Sequence, residues 1–166
     1  YVVTLTVTDT DGYTSSTQLP ITVNQTDSSG EFVDVSPSDL PGDGSESDPY
    51  EISNVSELQA MEDDLDANYE LVSDIDASQT AQFNNGSGFN PIGSDPRYAP
   101  FSGSFDGNNH TIAELTINRP NKYRVGLFEA SSGMLTDVTL TNVTVTGGSA
   151  TGGLAGVTDR GEIQNA

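Results

Sequence analysis

Two stretches of the chain repeat one pattern of apolar and polar positions. GSFDGNNHTIAELTI begins at residue 103, and GLFEASSGMLTDVTL, beginning at residue 126, matches its apolar positions at an offset of 23 (128 − 105). A fixed period in the twenties indicates stacked structural repeats. The apolar residues are β-branched, aromatic or leucine, and Gly and Asn between them tolerate corner conformations. The pattern predicts an all-β fold, a right-handed parallel β-helix (solenoid).

Aligning the two copies predicts which residues stack in successive coils. The predicted pairs are Phe105 with Phe128, Ile112 with Leu135, Leu115 with Val138, and Ile117 with Leu140. Parallel coils repeat at the strand spacing of about 4.8 Å, so we expect each pair to lie that far apart. A third copy follows, in which Gly153 and Leu154 match Gly126 and Leu127, and Ile163 matches Leu135 after one inserted residue.

Strands are also predicted outside the repeats. Residues 1–7 alternate, with Val3, Leu5 and Val7 on one face, which indicates a half-buried strand. Residues 19–23 predict a second strand, in which Pro20 favours an edge position. Residues 69–75 (YELVSDI) alternate again and are expected to form the first solenoid strand.

One helix is predicted, over residues 56–66. Ser56 and Gln59 have the spacing of a capping box, and Leu58, Met61 and Leu65 fall on one helical face. An amphipathic helix before a solenoid covers the open end of its core, where unpaired strand edges would otherwise invite aggregation. The acidic residues of the helix are then expected to form a solvated face rather than a metal site; they are Glu62, Asp63, Asp64 and Asp66.

Residues 24–48 have the composition of an acidic linker, rich in Ser, Asp, Gly and Pro. Two interpretations of this stretch stay open. Either the whole segment is disordered, or Phe32, Val33 and Val35 form a short strand that docks on a neighbour.

Charge is the strongest compositional signal. The 166 residues contain 25 Asp and Glu against 5 Lys and Arg, a net charge of −20. Such self-repulsion is tolerated at molar salt, where the Debye length is roughly 3 Å, and this favours a halophilic source. The alternative is an ordinary acidic secreted protein that binds calcium. Nucleic acid is not expected as a partner, because no basic patch exists to release counterions from phosphates.

The chain contains no Cys and no apolar run of about 18 residues. Neither disulfides nor thiolate metal sites are therefore available, and no membrane insertion is expected in this segment. Because the chain opens on an alternating strand, we expect it to be part of a longer protein.

YVVTLTVTDTDGYTSSTQLPITV, residues 1–23, contains a strand, a glycine turn and a second strand. It resembles the last two strands of a PKD domain, an Ig-like sandwich of archaeal and bacterial cell surfaces. The resemblance implies that the remaining strands lie upstream or come from another chain.

Five motifs follow one another between residues 49 and 166: PYEISNVSELQAMEDDLDANYELVSDIDAS, FNPIG, FSGSFDGNNHTIAELTINRP, VGLF and TGGLAG. In this order they resemble the GLUG-type repeats of secreted adhesins and of some bacterial immunoglobulin-cleaving peptidases. Where those repeats usually read VGGLVG, this chain has VGLFEA and then GGLAGV, so its first copy departs from the pattern. The resemblance implies a surface-located solenoid and no catalytic residues.

Candidate catalytic residues are few. His110 is the only His, and its predicted place in a corner favours a packing or exposed position over a general base. Asp76 and Asp106 imitate a glycosidase pair, but carboxylates are abundant in this chain. Arg119, Lys122 and Arg124 are interpreted as local counter-charges to the acidic surface. We therefore predict no catalytic site and no cofactor-binding site.

Calcium is the one cofactor that the sequence allows. Asp9 and Asp11 precede Gly12 as in half of a calcium loop, although the same residues make a good hairpin turn. Separately, five N-x-S/T sequons are glycosylation candidates, with those in predicted loops, Asn24 and Asn85, favoured over the others. The others are Asn54, Asn109 and Asn142.

The sequence therefore predicts a non-catalytic structural or adhesive region of an extracellular surface protein or filament of a halophile. The alternatives are a spacer or substrate-binding region of a secreted polysaccharide-degrading enzyme or peptidase, and a viral fibre. Expected partners are neighbouring copies or other surface proteins, with glycans as a further candidate. Because unpaired strand edges are expected at both ends, we also predict that the chain is not an independent monomer.

Overall fold

A computed structural model describes residues 2–8, 14–20, 35–93 and 100–166. The described part of the chain is mainly β. Its strands, in chain order, are β1 Val2–Thr8, β2 Thr14–Pro20, β3 Tyr50–Ile52, β4 Tyr69–Leu71, β5 Ile75–Asp76, β6 Ser104–Asp106, β7 Thr111–Ala113, β8 Thr116–Asn118, β9 Phe128–Ser131, β10 Met134–Thr136, β11 Thr139–Thr141, β12 Thr144–Thr146, β13 Ala155–Thr158 and β14 Glu162–Gln164.

Strands β1 and β2 form an antiparallel hairpin in which Val3 pairs with Leu19 and Leu5 with Thr17. The first strand agrees with the prediction. The predicted second strand, residues 19–23, overlaps the described strand only at Leu19 and Pro20: the pairing already begins at Thr14, and residues 21–23 lie outside the described residues. Pro20 has no N–H to donate, and among the described strands β2 pairs only with β1, which suits an edge position.

The remaining strands form parallel ladders. The longest joins five strands in the order β14, β10, β6, β4, β3, so that Tyr50, Tyr69, Phe105, Leu135 and Ile163 form one row. A second ladder stacks β5, β7 and β11, with Ile75, Ile112 and Leu140 in register. A third joins β8 to β12, and a fourth joins β9 to β13.

The register overturns the predicted stacking at an offset of 23. Phe105 pairs with Leu135, an offset of 30 (135 − 105), whereas Ile112 pairs with Leu140 and Ile117 with Val145, an offset of 28 (140 − 112). Phe105 and Phe128 belong to different ladders, and so do Ile112 and Leu135.

The error is a slip by one strand. β7 and β8 begin five positions apart, and so do β11 and β12. Each of these strands has a large apolar residue at its middle position. Shifting the true period of 28 by one strand, which is five residues, therefore gives an apparent period of 23. The third copy is confirmed: Ile163 pairs with Leu135, and the Leu127 N–H donates to the Gly153 carbonyl at 3.0 Å.

The core lies between the ladders. Phe105, Ile112, Leu115 and Ile117 are all fully buried, as their positions in the pattern predicted. Aromatic rings run through it: the Phe101 and Phe128 centroids are 4.9 Å apart, and those of Phe105 and Phe128 are 5.7 Å apart.

Helix α1 covers only Val55–Ala60 and continues as a 3₁₀ turn over Met61–Asp63. The predicted capping box is wrong. Asn54 is the N-cap, and its side-chain oxygen accepts the N–H groups of Ser56 and Glu57 at 3.0 and 3.1 Å. The predicted apolar face is partly confirmed, because Leu58 and Met61 are fully buried whereas Leu65 is half-buried.

Residues 35–48, which the sequence assigned to the linker, pack on the ladders. Leu40 belongs to the core, and the Glu51 N–H on β3 donates to the Pro41 carbonyl at 3.0 Å. Val35 is half-buried against the core without forming a strand, while Phe32 and Val33 lie outside the described residues. The first strand of the long ladder is therefore β3, not the predicted stretch 69–75, which divides into β4 and β5.

Candidate functional site

The chain turns sharply between the short strands, and several of these corners place a non-glycine residue at positive φ. Asn109 has φ 62°, Glu114 61°, Asp137 50° and Asn142 52°. Asn and Asp tolerate this conformation better than other residues with a side chain. Three of these residues, Asn109, Glu114 and Asn142, are exposed, and Asp137 is half-buried. The corners therefore present polar side chains to solvent.

His110 lies in one such corner, as predicted. Its Nδ1 is 3.3 Å from a side-chain oxygen of Asp74, and the same oxygen accepts the Thr111 N–H at 2.9 Å. These two contacts, the backbone one first, lower the pKa of the exposed Asp74 carboxyl. The pair joins β7 to the loop before β5, and it therefore holds a corner in place.

Asp76 and Asp106 each close a local turn. Asp76 accepts the Ser78 N–H at 2.9 Å, and Asp106 accepts the Asn108 N–H at 2.8 Å. The backbone contact from Ser78, assisted by its hydroxyl, lowers the pKa of Asp76. Both carboxylates thus have a structural use in Asx turns.

A polar network joins the helix to Asn90, which lies in the segment before β6. Gln59 donates from Nε2 to the Asn90 carbonyl and accepts the Asn90 N–H, both at 3.0 Å. The Glu62 carboxylate accepts from Asn90 Nδ2 at 2.7 Å, and its pKa is raised by burial. The prediction of a solvated acidic face is therefore wrong for Glu62. No local pattern reveals a contact between positions so far apart in the chain.

Two of the three predicted counter-charges, Arg119 and Lys122, are influenced by an acidic residue. Burial lowers the pKa of Arg119, and the nearby Glu62 opposes that shift. The Lys122 Nζ lies 3.5 Å from a carboxylate oxygen of Glu129. The Lys122–Glu129 contact agrees with the predicted counter-charges, Arg119 is linked to Glu62 only through its electrostatic influence, and Arg124 is exposed.

Within the described residues, no group of three or more His, Asp or Glu side chains could hold a metal ion. The predicted calcium ligands, Asp9 and Asp11, lie outside those residues, as does the Asn24 sequon. In the same part of the chain, every helix is too short or too polar to span a membrane.

The four sequons that fall in the described residues differ in exposure. Asn85, Asn109 and Asn142 are exposed at positive φ. Asn54 is half-buried, its side-chain oxygen caps α1, and the Ser56 of its sequon is 5% exposed.

The last described strands are less well covered than the others. Leu140, Val143, Val145 and Leu154 are only half-buried, and Ile163 on β14 is 43% exposed. β14 pairs with β10 on one side, and its other edge pairs with no strand among the described residues. Backbone groups on such an edge can accept a further strand.

The chain is similar to halomucin of Haloquadratum walsbyi, with 38% identity over 125 residues, 71% of this chain. The chain spans only 1% of the length of halomucin. No family model matches the chain, and no solved structure matches it.

Proposed function

We propose that the chain is a non-catalytic structural or adhesive region of an extracellular surface protein or filament of a halophile. The observation that carries this proposal is the 38% identity to halomucin of Haloquadratum walsbyi. The name of that protein and the name of its organism both refer to salt. The net charge of −20 supports it independently, because such a chain suits a medium in which charge is screened over a few ångströms.

We further propose that residues 49–166 form a right-handed parallel β-solenoid with α1 as its N-terminal cap. Parallel ladders support this architecture, and the pairs within β6–β14 have offsets between 27 and 30 (155 − 128 and 135 − 105). The burial of Val55, Leu58 and Met61 supports the capping role. The GLUG-type and PKD-type resemblances stay part of this proposal, and they rest on the quoted motifs.

Such an architecture suits a structural or adhesive region. In a solenoid each coil contacts only its neighbours, so the array extends in one direction and presents long faces to solvent. The acidic side chains at its surface are spread over several coils, as Glu51, Asp66, Glu114 and Asp159 show by their exposure. In concentrated salt, a surface protein can expose acidic faces of this kind at modest cost in stability, because the repulsion between the charges is screened.

Antibodies raised against residues 35–166 test the location. We expect them to label intact cells of the source organism, or material shed from them, in molar salt. A cytoplasmic protein serves as the control and should be labelled only after permeabilisation. Labelling of this chain only after permeabilisation would overturn the proposal.

The adhesive variant of the proposal has its own test. The purified chain, coupled to beads in molar NaCl, should bind source cells above the level of beads coupled to an unrelated protein of matched negative charge. Binding equal to that control would leave the structural role and remove the adhesive one. Hydrolysis of surface polysaccharide by the purified chain would instead favour an enzyme.

A further inference from the structure

Four corners of the described chain share one arrangement. In each, a residue at positive φ is followed by one residue and then by the Thr that opens the next strand. The four corner-to-Thr pairs are Asn109 to Thr111, Glu114 to Thr116, Asp137 to Thr139, and Asn142 to Thr144.

Local physics explains each position. The first residue adopts the left-handed conformation, which favours Asn among residues that have a side chain. The middle residue turns inward in three of the corners, since Leu115 and Val138 are buried and Val143 packs against the core. The third residue opens a strand, where β-branched Thr is favoured. Whenever Asn occupies the first position, the corner spells N-x-T, the acceptor sequence for Asn-linked glycans.

We propose that Asn109 and Asn142 carry Asn-linked glycans, so that the solenoid corners form an array of modification sites. Asn142 and its Thr144 are both exposed. Asn109 is exposed and its Thr111 is half-buried. A glycan at either position projects from the corner into solvent and leaves the strand ladders intact.

Asn54 is the internal contrast. Its side-chain oxygen accepts two N–H groups at the start of α1, and the Ser56 of its motif is buried. An enzyme that must reach both the amide and the hydroxyl finds neither free in the folded chain. Asn54 is therefore unmodified. Asn85 is exposed, but it precedes no strand and lies outside the repeated corner.

Glu114 occupies the same corner as Asn142, one coil earlier. Ala113 pairs with Thr141, and the Glu114 N–H donates to the Thr141 carbonyl at 2.9 Å. Glu114 is exposed and is followed by Leu115 and Thr116, so E114N completes an acceptor motif there without changing the strands. If the corners are modification sites, the Asn that E114N introduces should carry a glycan in addition to those at Asn109 and Asn142.

The test uses the full protein in its source organism, and it rests on the proposed surface location. Peptides of the protein recovered from cells are mapped by mass spectrometry. We expect the peptides with Asn109 and Asn142 to be heavier by a glycan and the Asn54 peptide to be unmodified. E114N should add a further glycan-sized shift.

Two variants at one position separate modification from corner geometry. T144V keeps a β-branched strand residue but breaks the motif, and it should abolish the shift at Asn142. T144S keeps the motif and should retain the shift. An unmodified Asn142 in protein taken from the cell surface overturns this inference and leaves the surface location standing. A modified Asn54 also overturns it, and protein confined to the cytoplasm overturns both proposals.

Discussion

Gly133 marks a close approach between the segments that lead into β10 and β6. A Cβ built on Gly133 would lie 2.0 Å from the carbonyl oxygen of Gly103 and 2.9 Å from the Ser102 carbonyl carbon. An ordinary contact between carbon and oxygen needs about 3.3 Å, so Gly133→Ala must force the two segments apart by roughly 1 Å.

That displacement breaks backbone hydrogen bonds. The Met134 N–H donates to the Gly103 carbonyl at 3.1 Å, and the Gly133 N–H donates to the Phe101 carbonyl at 3.0 Å. Lengthening both by roughly 1 Å removes them, at about 1 to 2 kcal/mol each for buried groups. The entropy gained in the unfolded chain returns about 0.4 to 1 kcal/mol. We therefore expect Gly133→Ala to lower the free energy of unfolding by about 1 to 3.5 kcal/mol.

Gly153→Ala is the matched control. Its added Cβ would meet Leu140 Cδ1 at 3.7 Å and Val143 Cγ2 at 3.9 Å, which are ordinary contacts. We expect unchanged stability or a gain of about 0.4 to 1 kcal/mol. Urea unfolding in molar NaCl, followed by far-UV circular dichroism, measures both variants. A Gly133→Ala variant within about 0.5 kcal/mol of Gly153→Ala would refute the close approach between these two segments.

Four further predictions follow from the core, the polar network and the charge. Leu115→Ala leaves a cavity at a fully buried site and should cost about 2 to 5 kcal/mol in urea unfolding; a cost below about 1 kcal/mol would contradict the packing. Gln59→Ala leaves the backbone N–H and carbonyl of Asn90 without their partner and should cost about 1 to 3 kcal/mol. A neutral result would show that water replaces the two Gln59 hydrogen bonds. Burial raises the pKa of Glu62 above its ordinary 4.5, so the folded protein binds this proton more tightly than the unfolded chain, and stability falls as pH rises from 4.5 through the raised pKa. Glu62→Gln should therefore flatten that part of the curve of Tm against pH relative to wild type. An unchanged slope would argue against burial of the charge. Lowering NaCl from molar to about 0.1 M lengthens the Debye length from about 3 to about 10 Å and should lower the Tm, while a constant Tm would favour an ordinary acidic protein.

Part of the candidate site was readable from sequence. The sequons are visible as three-residue motifs, and the place of His110 in a corner was predicted from the repeats. Which sequons are accessible was not readable, because Asn54 looks like the others until its side chain is seen to cap α1. The two hydrogen bonds between Gln59 and Asn90 could not be predicted either, because Asn90 is distant in the chain and belongs to no periodic pattern.

The sequence by itself determined which residues face inward. Phe105, Ile112, Leu115 and Ile117 are buried as their pattern predicts, because side-chain direction along a short strand follows from local backbone geometry. Charge and composition likewise indicated the acidic surface.

Only the tertiary structure decided which strand lies on which. Every three-residue strand from β6 onward has a large apolar residue at its middle position, so several registers bury equivalent side chains and the pattern cannot choose among them. Corner lengths and close backbone approaches, such as Gly133 against Gly103, select offsets of 28 and 30 over 23. These contacts join residues far apart in the chain, and they exist only once the strands have packed on one another.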